Sequence, residues 1–431
     1  MKQFFGGVHP PENKISRHYR LEKIVPPMYV YLHLSQHTGK PAKPVVKPND
    51  YVLVGQKVAD YDGLISSPVH SPVSGKVVEI KEVLHPVLGT KSPAIVVEND
   101  GNNKTIEFSS KYKEYFRYDK TELVNVIKEN GIVGLGGAMF PTHVKLSPKK
   151  EIDTVLLNGC ECEPYLTCDD KLMQEHSREI VEGLRIIMYV LDAPKGIVVL
   201  ENNKPDAFKK MAEVISRVPN VEIVVVKTKY PQGAEKQLIK TVLGKEVPSG
   251  GLPMDVGVVV QNVATSYAIY NAVVKGIPLY ERVVTISGDI NRIGNFIIPI
   301  GTMVDDIIKT LNINVSMTEK LIFGGPMMGV AVPTSEIPVI KGTSGILFIK
   351  DKIKDYSYGP CIRCGKCVNV CPMSLMPNFL SVYIEHELWD KVKIFSPLDC
   401  IECGCCSYTC VSKRPIVSQI KFAKTKLREM K

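Results

Sequence analysis

Apolar positions change their spacing along this chain, and each change marks a different kind of element. Asp50-Tyr-Val-Leu-Val-Gly-Gln-Lys-Val-Ala59 and Ser67-Pro-Val-His-Ser-Pro-Val-Ser-Gly-Lys-Val-Val-Glu-Ile80 are short β-branched runs cut by Pro and Gly. They predict tightly turned strands and a small β-rich module over residues 1–110. From 111 to 272 the pattern is mixed. Glu122, Leu123, Val126 and Ile127 keep helical spacing up to Gly131. Strand-like runs at 154–158, 197–200 and 221–226 then alternate with helical patterns near 171–191 and 205–217. Alternation of this kind predicts an α/β layer around a largely parallel sheet.

Residues 273–345 form a compact third stretch. It holds Val283-Val-Thr-Ile-Ser-Gly288, a helical pattern at 304–311, and Leu321-Ile-Phe-Gly-Gly-Pro-Met-Met-Gly329, whose methionines read as packing. The last module, 346–431, ends in a helical pattern. Ile416, Ile420, Ala423 and Leu427 share one face, ringed by Lys421, Lys424, Lys426, Arg428 and Lys431. That cationic rim is a solvated face or a contact for an acidic partner or an anionic membrane surface.

Composition narrows the class. The longest apolar stretch, around 321–333, is broken by Gly324, Gly325, Pro326 and Gly329, so no segment is expected to span a bilayer. The N-terminal residues lack the apolar core of a signal peptide. A formal charge of +9 over 431 residues is mild, and no basic patch is interleaved with aromatics, which argues against nucleic acid.

The cysteines carry the chemistry. Cys361, Cys364, Cys367 and Cys371 read C-x2-C-x2-C-x3-C-P, and Cys400, Cys403, Cys406 and Cys410 repeat the spacing. This is the ligand pattern for two [4Fe–4S] clusters, with the fourth Cys of each run serving the other cluster. One cluster is therefore assigned to Cys361, Cys364, Cys367 and Cys410, and the second to Cys371, Cys400, Cys403 and Cys406. Zinc also uses C-x2-C pairs, but does not need four cysteines in each run. Cys405 would break its run's spacing, and Cys160, Cys162 and Cys168 fit no ligand rule and read as small buried apolar groups. Iron–sulfur centres and free thiols point to a reducing compartment.

Another candidate is Gly134-Leu-Gly-Gly-Ala-Met-Phe-Pro-Thr-His-Val-Lys145, where three glycines in four residues can turn consecutive amides toward an anion. It lacks the G-K-[ST] of a Walker loop and the third glycine of a dinucleotide fingerprint. Asn158-Gly-Cys-Glu-Cys-Glu-Pro-Tyr165 follows, where the first strand should end and ligands gather in open α/β sheets. Tyr230-Pro-Gln-Gly-Ala-Glu-Lys236 and Gln261-Asn-Val-Ala-Thr265 come next.

In this order the motifs resemble the FMN-binding subunit of respiratory complex I, whose loop reads G-R-G-G-A-G-F-P-T-G-x-K. N-A-x-E-x-E-P, G-E-E-T and N-N-V-E-T elements follow it there. Over nearly the whole length, from Phe5-Gly-Gly-Val-His-Pro-Pro-Glu12 to the cysteine runs, the chain resembles the C-subunit family of Rnf electron-transport complexes. The resemblance implies an α/β multidomain fold: a barrel-sandwich hybrid of biotinyl/lipoyl type, an α/β flavin-binding domain, a β-grasp (SLBB-like) domain, and an α-helical dicluster ferredoxin-like domain. The barrel lacks the hairpin Lys that carries a prosthetic group, because its turn is Val73-Ser74-Gly75, so its expected role is structural or docking.

The resemblance also implies site residues. Gly134, Gly136, Gly137 and Lys145 match the positions that cradle FMN, and Phe140 keeps an aromatic beside the nicotinamide pocket. Asn158, Glu161, Glu163, Gly233, Glu235, Asn262 and Thr265 match positions near flavin and nicotinamide nucleotide. Leu135 replaces the loop's Arg, and Ala234 and Ala264 replace acids, departures that bear on NADH more than on FMN. Beyond the cofactors no catalytic side chain is expected. The implied activity is exchange of electrons between NAD(H), FMN and two [4Fe–4S] clusters. FMN takes a hydride as two electrons, whereas clusters take one each. The expected setting is the cytoplasmic face of a membrane, beside partner subunits that translocate ions and receive electrons from ferredoxin. Two alternatives stand: a soluble flavin/iron–sulfur reductase, such as a microcompartment cobalamin reductase, or a cluster relay with no working NADH site.

Overall fold

The computed structural model describes residues 3–350 and 357–430. Met1, Lys2, residues 351–356 and Lys431, which fall in the first and last expected modules, lie outside the described residues.

A four-stranded sheet, parallel throughout, forms the middle of the molecule. Its order is Val221–Val226, Lys195–Glu201, Thr154–Gly159, Val258–Asn262. The strands are near-continuous runs of Val, Ile and Leu because helices cover both faces. Ser177–Leu191 and Val263–Tyr270 pack against each other so closely that a Cβ on Gly183 would lie 2.0 Å from the Ser266 carbonyl oxygen. Asn158 and Asn262 lie in register near the carboxyl ends of adjacent strands. The helical pattern near 171–191 is broken into Cys168–Glu175 and Ser177–Leu191, because His176 leaves helical backbone at φ −128°, ψ 35°. Val258–Asn262 is a strand that periodicity did not reveal, since its apolar run carries no alternation.

The second sheet has six strands: Leu21–Lys23, Gly294–Pro299, Glu281–Gly288, Gly345–Ile349, Lys320–Phe323 and Val330–Val332. An antiparallel hairpin opens it, the helix Val304–Thr310 follows, and Gly345–Ile349 returns parallel to the first hairpin strand. Leu21–Lys23 joins this sheet by parallel pairing with residues 295–297. The first two dozen residues do not contribute strands to the barrel sheets. They run across the other modules, and their one strand pairs in the second sheet.

Residues 29–99 form the barrel from two small sheets, with Tyr29–His33, Lys91–Asn99, Gly75–Leu84 and Tyr51–Val52 in one and Lys43–Pro44, Lys57–Asp60 and Val69–His70 in the other. It docks directly on the glycine loop: Thr38 donates from its amide to the Met139 carbonyl (3.1 Å) and from its hydroxyl to that of Ala138 (2.6 Å). The C-terminal module repeats itself. Lys366–Asn369 and Cys405–Tyr408 are short helices, each preceded by a left-handed glycine, Gly365 (φ 74°) or Gly404 (φ 82°). Arg363 (φ 55°) and Glu402 (φ 58°) are left-handed at the same point of each run. Helices Pro377–Glu385 and Ile416–Glu429 close the module over Leu380, Ile384, Ile416, Ile420, Ala423 and Leu427, all buried. Lys424 departs from the solvated rim, donating to the Cys400 carbonyl at 2.6 Å and pairing with Glu402 at 2.7 Å.

Candidate redox site

The two repeated turns bring the cysteines together in crossed sets. Cys361, Cys364, Cys367 and Cys410 line one cavity, walled by Asn378, Ser381 and Ile416. Cys371 instead lies among Cys400, Cys403 and Cys406, which act electrostatically on one another. Left-handed backbone recurs in each run, and two amides lie near sulfurs of the second set: Glu402 N is 3.3 Å from Cys400 Sγ, and Leu375 N is 3.4 Å from Cys371 Sγ. Four thiols around a cavity, with amides donating to sulfur, is a donor set suited to a cubane cluster and to tuning its potential. Cys405 adjoins Cys403 of the second set, with its Sγ 3.9 Å from the Tyr230 carbonyl oxygen.

The glycine loop is closed at its base by Gly134 N to Phe140 O (2.8 Å) and Met139 N to Gly134 O (3.1 Å). Between them Gly136, Gly137 and Ala138 are exposed, and among the described residues their amides meet no protein acceptor. Gly137 sits at φ 118° with open space where a Cβ would go, whereas a Cβ on Gly136 would lie 3.3 Å from Asn262 Cβ. Three consecutive free amides on an open turn fit an anion such as a flavin phosphate. Leu135 anchors the loop, its amide 2.9 Å from Thr265 Oγ1 and its carbonyl accepting from Arg282 at 2.7 Å. Sequence reading missed Arg282, which comes from the second sheet.

The other expected residues gather at the carboxyl edge of the parallel sheet. Asn262 caps helix Val263–Tyr270, accepting from Ala264 N at 2.8 Å, and donates to Asp169 at 2.6 Å. Asn158 donates to the Gly233 carbonyl at 2.8 Å, and Lys145 pairs with Glu235. Cys162 Sγ accepts from Gly233 N at 3.3 Å, so this cysteine is a polar contact of the site as well as a packed group. Phe140 is half-buried at the loop's foot.

The two acids behave differently from free carboxylates facing a ligand. Glu161 accepts from Asp169 N (2.7 Å) and Asp170 N (3.3 Å), capping helix Cys168–Glu175. Glu163 accepts from Met327 N (3.0 Å) and Met328 N (2.8 Å). Burial pushes its carboxyl up to about 7, against the pull of those two amides. The methionine turn is thus packing with a purpose: it seats Glu163, whose Oε2 would lie 2.3 Å from a Cβ on Gly325. Burial, and then the neighbouring Glu161 charge, also push Asp169 up to about 7.

Lys14 is a second residue that no motif signalled. Its buried ammonium donates to the carbonyls of Glu161 (2.7 Å), Glu163 (2.8 Å) and Leu166 (2.6 Å), holding the loop after the central strand. Tyr230 is a third; its hydroxyl donates to the Cys403 carbonyl at 2.7 Å, joining the cluster module to the flavin domain.

Comparison with known proteins bears on these centres. Residues 2–102 match the RnfC barrel sandwich hybrid domain family, residues 127–271 the Nuo51 FMN-binding domain, and residues 353–411 the 4Fe-4S dicluster domain. The chain is 44% identical over 394 residues to the C subunit of the proton-translocating ferredoxin:NAD(+) oxidoreductase complex of Clostridium ljungdahlii, covering 90% of this chain and 86% of that one. It is 44% identical over 430 residues to the C subunit of the Na(+)-translocating ferredoxin:NAD(+) oxidoreductase complex of Acetobacterium woodii, covering 98% and 97%. Identity to the C subunit of the ion-translocating oxidoreductase complex of Rhodobacter capsulatus is 39% over 431 residues, covering 98% and 83%. Among solved structures, an NAD+-reducing [NiFe]-hydrogenase in the air-oxidised state aligns at 17% identity with a TM-score of 0.50, over 66% of this chain and 57% of that one, a likeness of fold alone.

Proposed function

The chain belongs to the C-subunit family of ion-translocating ferredoxin:NAD+ oxidoreductases, and from that premise we infer that it exchanges electrons between NAD(H), FMN and two [4Fe–4S] clusters. The crossed cysteine sets carry this reading. Cys361, Cys364, Cys367 and Cys410 hold one cluster, and Cys371, Cys400, Cys403 and Cys406 the other. Bound FMN supplies a centre that takes electrons in pairs and passes them on singly. The amides of Gly136, Gly137 and Ala138 hold its phosphate, with Gly134 and Lys145 flanking them and Thr265 fixing the loop beneath. Asn158, Gly233 and Asn262 shape the polar edge, while Glu161 keeps the adjoining helix terminus in place. Amides donating to Cys400 and Cys371 sulfurs stabilise negative charge there.

The six-stranded sheet, with its hairpin, helix and parallel returning strand, is read as the β-grasp (SLBB-like) domain. The boundaries near 110, 272 and 345 are the proposed module limits. Among the described residues no helix is long and apolar enough to cross a membrane. The proposed setting is therefore peripheral, on the cytoplasmic face, with ferredoxin reached through partner subunits.

One observation favours a second reading, a relay without its own nicotinamide site. Glu163 is committed to the methionine turn, and Ala234 and Ala264 stand where the complex I pattern has acids. Anaerobic purification with reconstituted clusters, followed by NADH, separates the two. Bleaching of flavin and clusters, with about eight iron per chain, is the expected result. Full cofactor content with no response to NADH supports the relay.

A further inference from the structure

We propose that residues 4–23 form a strap that sets the coupling between the second cluster and the flavin cleft. This rests on the cofactor reading above and adds a positioning role for the segment that precedes the barrel strands.

The strap touches the redox elements in succession. Gly7 donates to the Val370 carbonyl at 2.8 Å. Gly6 lies at φ 74°, and a Cβ there would meet the Cys371 carbonyl carbon and oxygen at 2.8 Å. On its other side, a Cβ on Gly7 (φ 78°) would meet the Tyr230 carbonyl oxygen at 2.6 Å. Only glycine passes between the end of the first cysteine run and Tyr230. Val8 and Tyr230 then exchange both backbone bonds, at 2.9 and 3.0 Å, while Lys229 Nζ donates to the Phe4 carbonyl at 3.0 Å. Tyr230, held by the strap, is the residue that reaches the Cys403 carbonyl.

Further along, the strap grips the acidic loop. Tyr165 N donates to the Glu12 carbonyl at 2.9 Å. Lys14 gathers three carbonyls, two of them from Glu161 and Glu163. The Ser16 hydroxyl meets that of Thr167 at 2.6 Å before Leu21–Lys23 enters the second sheet. One continuous segment thus bonds to the backbone beside a cluster ligand and to the backbone of the flavin-edge loop. Electron transfer falls off steeply with misplacement, so a segment fixing both ends controls the step between them.

The step is balanced by the proposed reaction. NADH would give a hydride to FMN and leave as NAD+, and the two electrons would then pass one at a time to two oxidised clusters with release of one proton. The test follows both phases by anaerobic stopped flow in the fully loaded chain, comparing wild type, Gly6→Ala and Gly89→Ala. Gly89 is a control at φ 69° with nothing near its Cβ position. Gly6→Ala is expected to keep wild-type flavin and iron content and wild-type flavin reduction, and to slow cluster reduction roughly tenfold to a hundredfold. Hydrogen exchange at the Gly7, Val8 and Tyr230 amides should rise in the same variant. Unchanged cluster reduction, or equal slowing of both phases, overturns the strap. If Gly6→Ala fails to load its clusters, Lys229→Met, which frees only the Phe4 end, takes its place; an unaltered cluster phase there also overturns the strap. If NADH does not reduce wild-type flavin, the nicotinamide reading fails by itself. Photoreduction of the flavin then starts the same cluster phase and decides the strap on the same terms.

Discussion

Gly137 and Glu163 show how the local surroundings of a single residue set what it contributes. Gly137 holds φ 118° on an open turn, so nothing but backbone strain opposes a side chain there. Gly137→Ala is expected to cost the loop about 1–3 kcal/mol, weakening FMN binding roughly 5- to 150-fold. Fluorescence titration of the flavin-free chain with FMN measures this. Glu163 has its pKa raised from 4.5 to about 7 in the fold. Between those values the native state binds the proton more tightly than the unfolded chain, so its contribution is fully present below pH 4.5 and is lost as pH rises through 7. Glu163→Gln removes that dependence, and denaturation midpoints across pH 4.5–7.5 should fall less steeply with pH than in wild type.

At the scale of elements, the repeated cysteine turns exchange their fourth cysteines. Cys410 belongs by sequence to the second run but lines the cavity of the first. Cys410→Ser is therefore expected to disturb the cluster held by Cys361, Cys364 and Cys367 and to leave the other intact, losing up to about half of the eight iron. Iron analysis with electron paramagnetic resonance of the reduced protein checks it, and damage confined to the cluster of Cys400, Cys403 and Cys406 would refute the crossing. The helical elements were legible where one face is apolar. Ile416, Ile420, Ala423 and Leu427 are buried as their spacing requires. The start of the first helix at Cys168 was not legible, because Glu161, seven residues before it, caps that helix from outside.

Across the whole molecule, Lys341 ties three modules together. Its buried amine reaches Pro68 O (2.6 Å) and Ser67 Oγ (3.4 Å) in the barrel and Gly131 O (2.7 Å) beside the flavin domain. Burial pushes its pKa from 10.5 down to about 7. From about pH 7 to 10.5 the unfolded chain therefore holds a proton that the native state does not, and stability contributed by this group rises with pH in that window. Lys341→Met should abolish that rise. Near pH 10, the unpaired Pro68 and Gly131 carbonyls should cost ~1–3 kcal/mol. Urea denaturation at several pH values separates the two effects.

What the sequence by itself determined is chemistry that lies close along the chain: the C-x2-C turns, the glycine loop and the apolar strands. Backbone geometry over a few residues dictates each of these, and residue type and spacing record it directly. Tertiary structure alone decided where distant segments meet. Lys14 crosses to the acidic loop, Glu163 turns to the methionine turn, Arg282 reaches the glycine loop, and the strap lies between Cys371 and Tyr230. These contacts join residues tens to hundreds of positions apart. A buried lysine or a glutamate held by distant amides has no local spacing to betray it, because its partners exist only once the chain has folded.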